Sequence, residues 1–282
     1  MDEGPLREAL ASFREHLEEA VATAHYNGKD FPDGLAAKTA AIRSGVPIGL
    51  LHEVAKADLA ASAEAAGLSA TMHPPIGRGA PELPIAGLIK SKRQDVVMLL
   101  NGDVPTEETI RVGPLAGEID AVGEAVSNRS IAVGVRSQVS SIDKNFDTLM
   151  ERAFAEPLNL HARLPSLVAG EVYLLPIQEL DDAALRAGDY EFKDRFVRVE
   201  RFIRTFAFIS GRSDPADDPY KYEETALILA DFTQDPPALL RTDEALIDRG
   251  VMSAGTVTPL DQLDPVGFGE RLVAHHVDRH GP

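Results

Sequence analysis

The sequence predicts a mixed α/β protein, a modest sheet flanked by helices and preceded by a helical N-terminal region. Three observations predict it. Apolar residues at spacings of three and four (Leu6, Leu10, Phe13, Leu17, Val21) mark an N-terminal helix. Short apolar runs bounded by turn residues recur at 95–100, 130–135, 170–177 and 226–232, as buried strands do. Between the second and third runs lies a long amphipathic stretch, which gives the strand–helix–strand order of a parallel crossover.

In order, residues 5–25 read as the first helix and 30–34 (DFPDG) as a loop. An Ala- and Leu-rich helix covers about 46–66, with Gly67 as its stop. Residues 72–84 carry Pro74, Pro75, Gly77, Gly79, Pro81 and Pro84, an ordered connector or a hinge rather than an element. The chain therefore divides into 1–84, a helical region with its Pro/Gly-rich connector, and 85–282, the core. In the core, DVVMLL (95–100) ends in the turn signal Asn101-Gly102-Asp103, and SIAVGV (130–135) is the next strand. Residues 142–160 follow as an amphipathic helix with Ile142, Phe146, Leu149, Met150, Ala153, Phe154 and Leu158 on one face. GEVYLLPI (170–177), a helix over 194–210, ALILADF (226–232) and a C-terminal helix over 267–277 complete the pattern.

With 282 residues and 44% hydrophobic content, the chain can build a sizeable core, which excludes disorder along its whole length. It has no cysteine, so disulfides, thiolate metal sites and thiol nucleophiles are excluded. No apolar run is long enough to span a membrane, and the acidic, amphipathic N-terminus is not a secretory signal; a soluble, cytoplasmic protein is the expectation. The net charge of −17 argues against a nucleic-acid binder that is basic all over, but a local basic patch can exist in an acidic background.

The phosphate-loop, dinucleotide, nucleophile-elbow and His-Glu-x-x-His patterns are absent. His276 and His280 are spaced so that they could hold a metal on one helical face, but a polar, frayed terminus is the plainer reading. His16, His25, His52 and His73 are scattered, and His161 is placed to complement a helix C-terminus.

The informative segment is 130–165. A strand ends in Val135-Arg136-Ser137-Gln138, a polar loop follows, and a helix opens with Asp143-Lys144-Asn145-Phe146. With Asp95 heading an upstream strand, this order resembles the XhoI-like restriction endonucleases of the PD-(D/E)XK superfamily. Their catalytic strand ends in Glu-x-Lys-Ser-Gln, and an Asn-Phe helix follows it. Ser137, Gln138, Asn145 and Phe146 match directly; Arg136 falls at the family's Lys and Gly134 at its Glu. The resemblance is best over about 88–180. It implies a PD-(D/E)XK-like core, Mg²⁺ held by Asp95, cleavage of double-stranded DNA, and a homodimer matched to palindromic sites. In these terms Asp95 is the metal ligand, Arg136 holds phosphate or transition-state charge, and Gln138 and Ser137 position water or phosphate.

Hydrolysis of a phosphodiester through a metal needs converging carboxylates. Gly134 supplies none, and a guanidinium cannot act as a base. Either the second acid has moved, with Glu151, Glu171, or Glu118 and Asp120 of the 104–129 insertion as candidates, or the site is silent and the fold is kept for binding DNA or a protein partner within a defence or repair assembly. A scaffold without any nucleic-acid role is a third reading. Residues that would meet DNA are the cations Lys90, Lys92 and Arg93 before Asp95, Lys144 with the neutral amide Asn145 at the helix start, and Arg198 and Arg201 among the arginines that recur every third residue over 195–204. Each of these has a plainer role as a solvated surface residue, and Arg136 could instead pair with Asp143.

Overall fold

The computed structural model describes residues 1–281. A six-stranded mixed sheet lies between two helical layers. Its strands are β1 (Ala70–His73), β2 (Val96–Leu100), β3 (Ile131–Ser137), β4 (Val168–Pro176), β5 (Glu224–Asp231) and β6 (Ala238–Leu240). Their spatial order follows the chain: β1 and β3 flank β2 antiparallel, β4 runs parallel to β3 and to β5, and β6 closes the far edge antiparallel. The major helices are α1 (Glu3–Thr23), α2 (Gly34–Ser44), α3 (Val46–Ala65), α4 (Phe146–His161), α5 (Val199–Phe208) and α6 (Phe268–His280). No described helix is long and apolar enough to cross a membrane.

Strand alternation explains the layers. Val96, Met98, Ile131, Val133, Val172 and Ile228 point to one face, where they share a single core with α1, α2, α3 and α6. Ala169, Tyr173, Leu175, Leu227 and Leu229 point to the other, against α4 and α5. All nine residues of β4 are buried, as expected of a strand covered on both faces. In α5, Phe202, Ile203 and Phe206 recur at helical spacing and fill the second core.

The structure corrects several expectations. The division at 84/85 is not a boundary between cores, because α1–α3 and the sheet bury one continuous cluster. The Pro/Gly-rich stretch is not a hinge. Its start is strand β1, and the buried Lys56 ammonium clamps the rest by donating to the carbonyls of Pro75 (3.1 Å) and Arg78 (2.9 Å) while paired with Glu53. Helix α2 had no strong apolar period. It forms because Asp33 caps the Ala36 N–H (2.8 Å) and small residues pack closely on α1. The tail is not frayed: Phe268, Leu272, Val273 and His276 are buried, and the imidazole of His280 contacts the Ser166 carbonyl at 3.1 Å.

A buried acid ties this tail to the sheet. Glu223, just before β5, accepts the Ala169 N–H (2.6 Å) and pairs with Arg212 (2.8 Å) and Arg279 (2.7 Å), with His161 3.4 Å away. Burial opposes its ionisation, but His161, Arg279 and the backbone bond outweigh that cost and hold its pKa down at about 2. A depressed carboxylate stabilises the fold above its unfolded value near 4.5, and that stabilisation is lost as pH falls toward 2. Glu223→Gln should therefore cost about 3–5 kcal/mol at pH 7, because it strands two buried guanidinium groups, and should flatten the acid limb of stability. Urea unfolding at pH 7 and pH 3 measures both effects; equal losses at the two pH values would contradict this role.

Candidate functional site

Asp95 immediately precedes β2, and one carboxylate oxygen accepts the Val135 N–H at 2.9 Å. Val96 pairs with Val133, so continuing that antiparallel register by one residue sets Asp95 beside Gly134. Gly134 pairs in turn with Glu171 on β4. Asp95, Gly134 and Glu171 thus form one row across three neighbouring strands.

The middle of that row is empty of side chain, and its space is filled from the next strand. A Cβ at Gly134 would overlap Oε2 of Glu171. Here the glycine matters through its missing side chain, since it leaves room for a carboxylate that begins one strand away. Glu171 is fully buried, and neither of its oxygens accepts a hydrogen bond. Burial pushes its pKa up to about 7, against the pull of Arg136.

Cations crowd this carboxylate. Arg136, two residues along β3 on the same face, places Nη1 3.3 Å from Glu171 Oε1 and also bonds Glu156 of α4. Lys92, on the strand Ser91–Arg93 before Asp95, reaches Glu156 as well. The charge of Glu171 raises the Arg136 pKa further above its ordinary range, so this guanidinium is permanently charged. Burial resists the ionisation of Glu156, but Arg136 and Lys92 together hold its pKa below the usual value. From the other layer, the buried Nε2 of His52 on α3 has no hydrogen-bond partner; desolvation lowers its pKa and Asp95 opposes that shift. The Tyr222 hydroxyl is buried and unpartnered too, its pKa raised first by burial and then by Glu171.

Beside this row, and reached from it through Arg136, lies a cleft of about 560 Å³ lined by Lys90, Lys92, Arg136, Ser137, Gln138 and Arg152, with Glu156 as its one acidic side chain. It is a basic hollow in an acidic molecule. A groove of about 760 Å³ between α1, α3 and α6 is roomier, but alanines and acids line it with no cation, so size does not identify the site.

Among the described residues, no cluster of three or more His, Asp or Glu side chains could hold a metal ion. Mg²⁺ needs fewer protein ligands, because it keeps several waters and takes one or two carboxylates with substrate phosphate oxygens. Glu171, with two orphaned oxygens, and Asp95 fit that limited donor set; Glu156 does not, being committed to Lys92 and Arg136.

The structure brings together Asp95, Arg136 and Glu171, with Lys90, Lys92, Ser137 and Gln138 at the cleft. Gln138 is turned toward the Ser140 carbonyl. Other candidates lie elsewhere. Glu151 is exposed on the outer side of α4, because the buried stripe of that helix runs through Met150, Ala153, Glu156 and Leu160 instead; Phe154 and Leu158 are partly exposed for the same reason. Glu118 is exposed on the insertion, and Asp120 is buried against Arg163 at 2.7 Å. Arg198 (3.5 Å) and Arg201 (3.0 Å) both pair with Asp143, and Arg201 also covers the Phe146 ring at 4.0 Å. They brace the loop entering α4 rather than line the cleft, and they occupy the acid considered as a partner for Arg136. Arg195 belongs to the strand Phe192–Phe196, not to α5. Arg93 and Lys144 are exposed, and Asn145 is the N-cap residue of α4 without a side-chain capping bond. Sequence reasoning missed Glu156, His52 and Tyr222. An acid directly before Pro157 within a helix was the available signal for the first; nothing in the linear pattern marks the other two.

No family model, curated protein or solved structure matches this chain.

Gly134→Ala should destabilise the fold by about 1–3 kcal/mol through overlap with the carboxylate. In a Glu171→Gly background most of that penalty should vanish, a coupling of about 1 kcal/mol or more in a urea double-mutant cycle. Additive effects would contradict the placement of Glu171 over Gly134.

Proposed function

We propose that this chain is a metal-dependent endonuclease of double-stranded DNA, with a PD-(D/E)XK-like core whose second acidic ligand has moved from β3 to β4. The observation that carries this reading is the Glu171 carboxylate lying in the space that a side chain at Gly134 would fill. The antiparallel β1–β2–β3 order, the crossover helix α4 and the parallel β4 also agree with such a core.

Asp95 and Glu171 would hold the divalent ion. Once bound, it supplies a water of lowered pKa and charge against the scissile phosphate. Arg136 stays protonated and exchanges part of its pairing with Glu156 and Glu171 for a phosphate oxygen. Lys92 brings an ammonium to the same cluster from a separate element, as a candidate replacement for the family's lysine in orienting the attacking water. Glu156 holds both cations in place between encounters. A homodimer would present two such clefts to the two strands of a palindrome.

The pairing of Arg136 with two acids favours one other reading, a catalytically silent nuclease-fold protein that binds DNA through the same cations. Supercoiled plasmid incubated with Mg²⁺ or Mn²⁺ separates the two. The wild-type chain should nick, and Asp95→Asn and Glu171→Gln should each slow nicking by about 10²-fold or more, the several kcal/mol that a misplaced ion forfeits. Gly134→Glu combined with Glu171→Gly, which returns the acid to β3, should restore part of the activity. Binding that weakens steeply with salt but yields no nicking would establish the silent reading. Nicking indifferent to both single substitutions would refute the site.

A further inference from the structure

A hairpin beside the cleft presents an apolar side chain in a setting that the chemistry of the site does not require. Its strands, Pro84–Ala86 and Ser91–Arg93, meet at the tip Gly87-Leu88-Ile89-Lys90. Ile89 is 59% exposed, yet its backbone is held firmly. Asn159, buried on α4, accepts the N–H groups of Ile89 (2.9 Å) and Lys90 (3.2 Å) through Oδ1 and donates Nδ2 to the Lys90 carbonyl (3.1 Å). Its own carbonyl accepts the Leu88 N–H at 2.7 Å. A side chain at position 87 would overlap Asn159, so the clamp requires Gly87. A buried amide spent on fixing a loop that buries little of its own apolar tip points to a use for that tip outside the fold.

The charge around the tip indicates what it meets. Residues 84–94 contain Lys90, Lys92 and Arg93 and no acid, in a chain of net charge −17. Among the described residues, Lys90 and Arg93 form no ion pair. A rigid aliphatic side chain flanked by free cations fits a nucleic-acid groove, where cations hold phosphates and an apolar wedge separates stacked bases. One aliphatic residue is too small an apolar surface for a stable protein interface.

We propose that Ile89 is a wedge that inserts into duplex DNA at the mouth of the cleft, with Asn159 as its positioning residue and Lys90 as its phosphate anchor; this rests on the DNA reading above. The test uses the full chain on closed-circular plasmid, relaxed by a metal-independent topoisomerase in EDTA so that cleavage does not intervene. Wedge insertion unwinds DNA, so bound wild-type protein should leave the deproteinised plasmid with a lowered linking number. Ile89→Ala should reduce that shift at least about threefold while plasmid affinity stays within about twofold. Lys90→Ala should weaken binding and lower the salt slope by about one. Binding without a linking-number change, or an Ile89→Ala shift equal to wild type, overturns the wedge and leaves the DNA reading intact. A wild-type chain that binds no plasmid even at low salt removes the DNA reading, and the wedge with it.

Discussion

A carboxylate taken out of water without hydrogen bonds costs several kcal/mol unless a charge stands beside it. Glu171 is in that position: fully buried, with no hydrogen bond to either oxygen, over a strand that supplies no side chain at Gly134, and with Arg136 alongside. The rest of the site follows from this constraint. Arg136 must be on β3 two residues beyond the gap to reach Glu171, and its remaining donors then call for a second acid, which α4 supplies as Glu156. Glu156 in turn draws in Lys92 from the hairpin before Asp95. Four elements are tied through one buried charge, and the cost is of the kind proteins accept at functional sites rather than in cores.

The cluster also gives an acidic protein a locally basic hollow. Glu156, the one acid lining the cleft, is paired with both Arg136 and Lys92, which leaves Lys90 and Arg152 on its walls without an ion pair among the described residues. Net charge then describes the molecule's long-range behaviour, whereas the cleft presents the opposite sign at contact distance.

Much of the architecture was legible in the sequence, because strands buried on both faces leave unbroken apolar runs and α5 carries its period openly. Strand β1 was hidden within a Pro/Gly-rich stretch, as only Met72 among its residues is buried. In α4 the apolar period misled: Phe154 stacks on Tyr220 at 4.7 Å near the surface, while polar Glu156 and Asn159 face inward to serve the cation cluster and the hairpin tip. Polar residues turned inward by tertiary packing follow no linear pattern, and Tyr222 and His52 were illegible for that reason. Glu171 could be proposed as a moved acid, but that it fills the gap at Gly134 depends on the register of β3 with β4, which no local signal fixes.

Direct measurement of metal binding tests the central claim most closely, because it does not depend on knowing a target sequence. Mn²⁺ titrated into the 282-residue chain and followed by electron paramagnetic resonance should report one bound ion per chain, lost in both Asp95→Asn and Glu171→Gln and retained in Glu151→Gln. An ion that binds equally well without Glu171, or no bound ion in the presence of duplex DNA, would contradict the account.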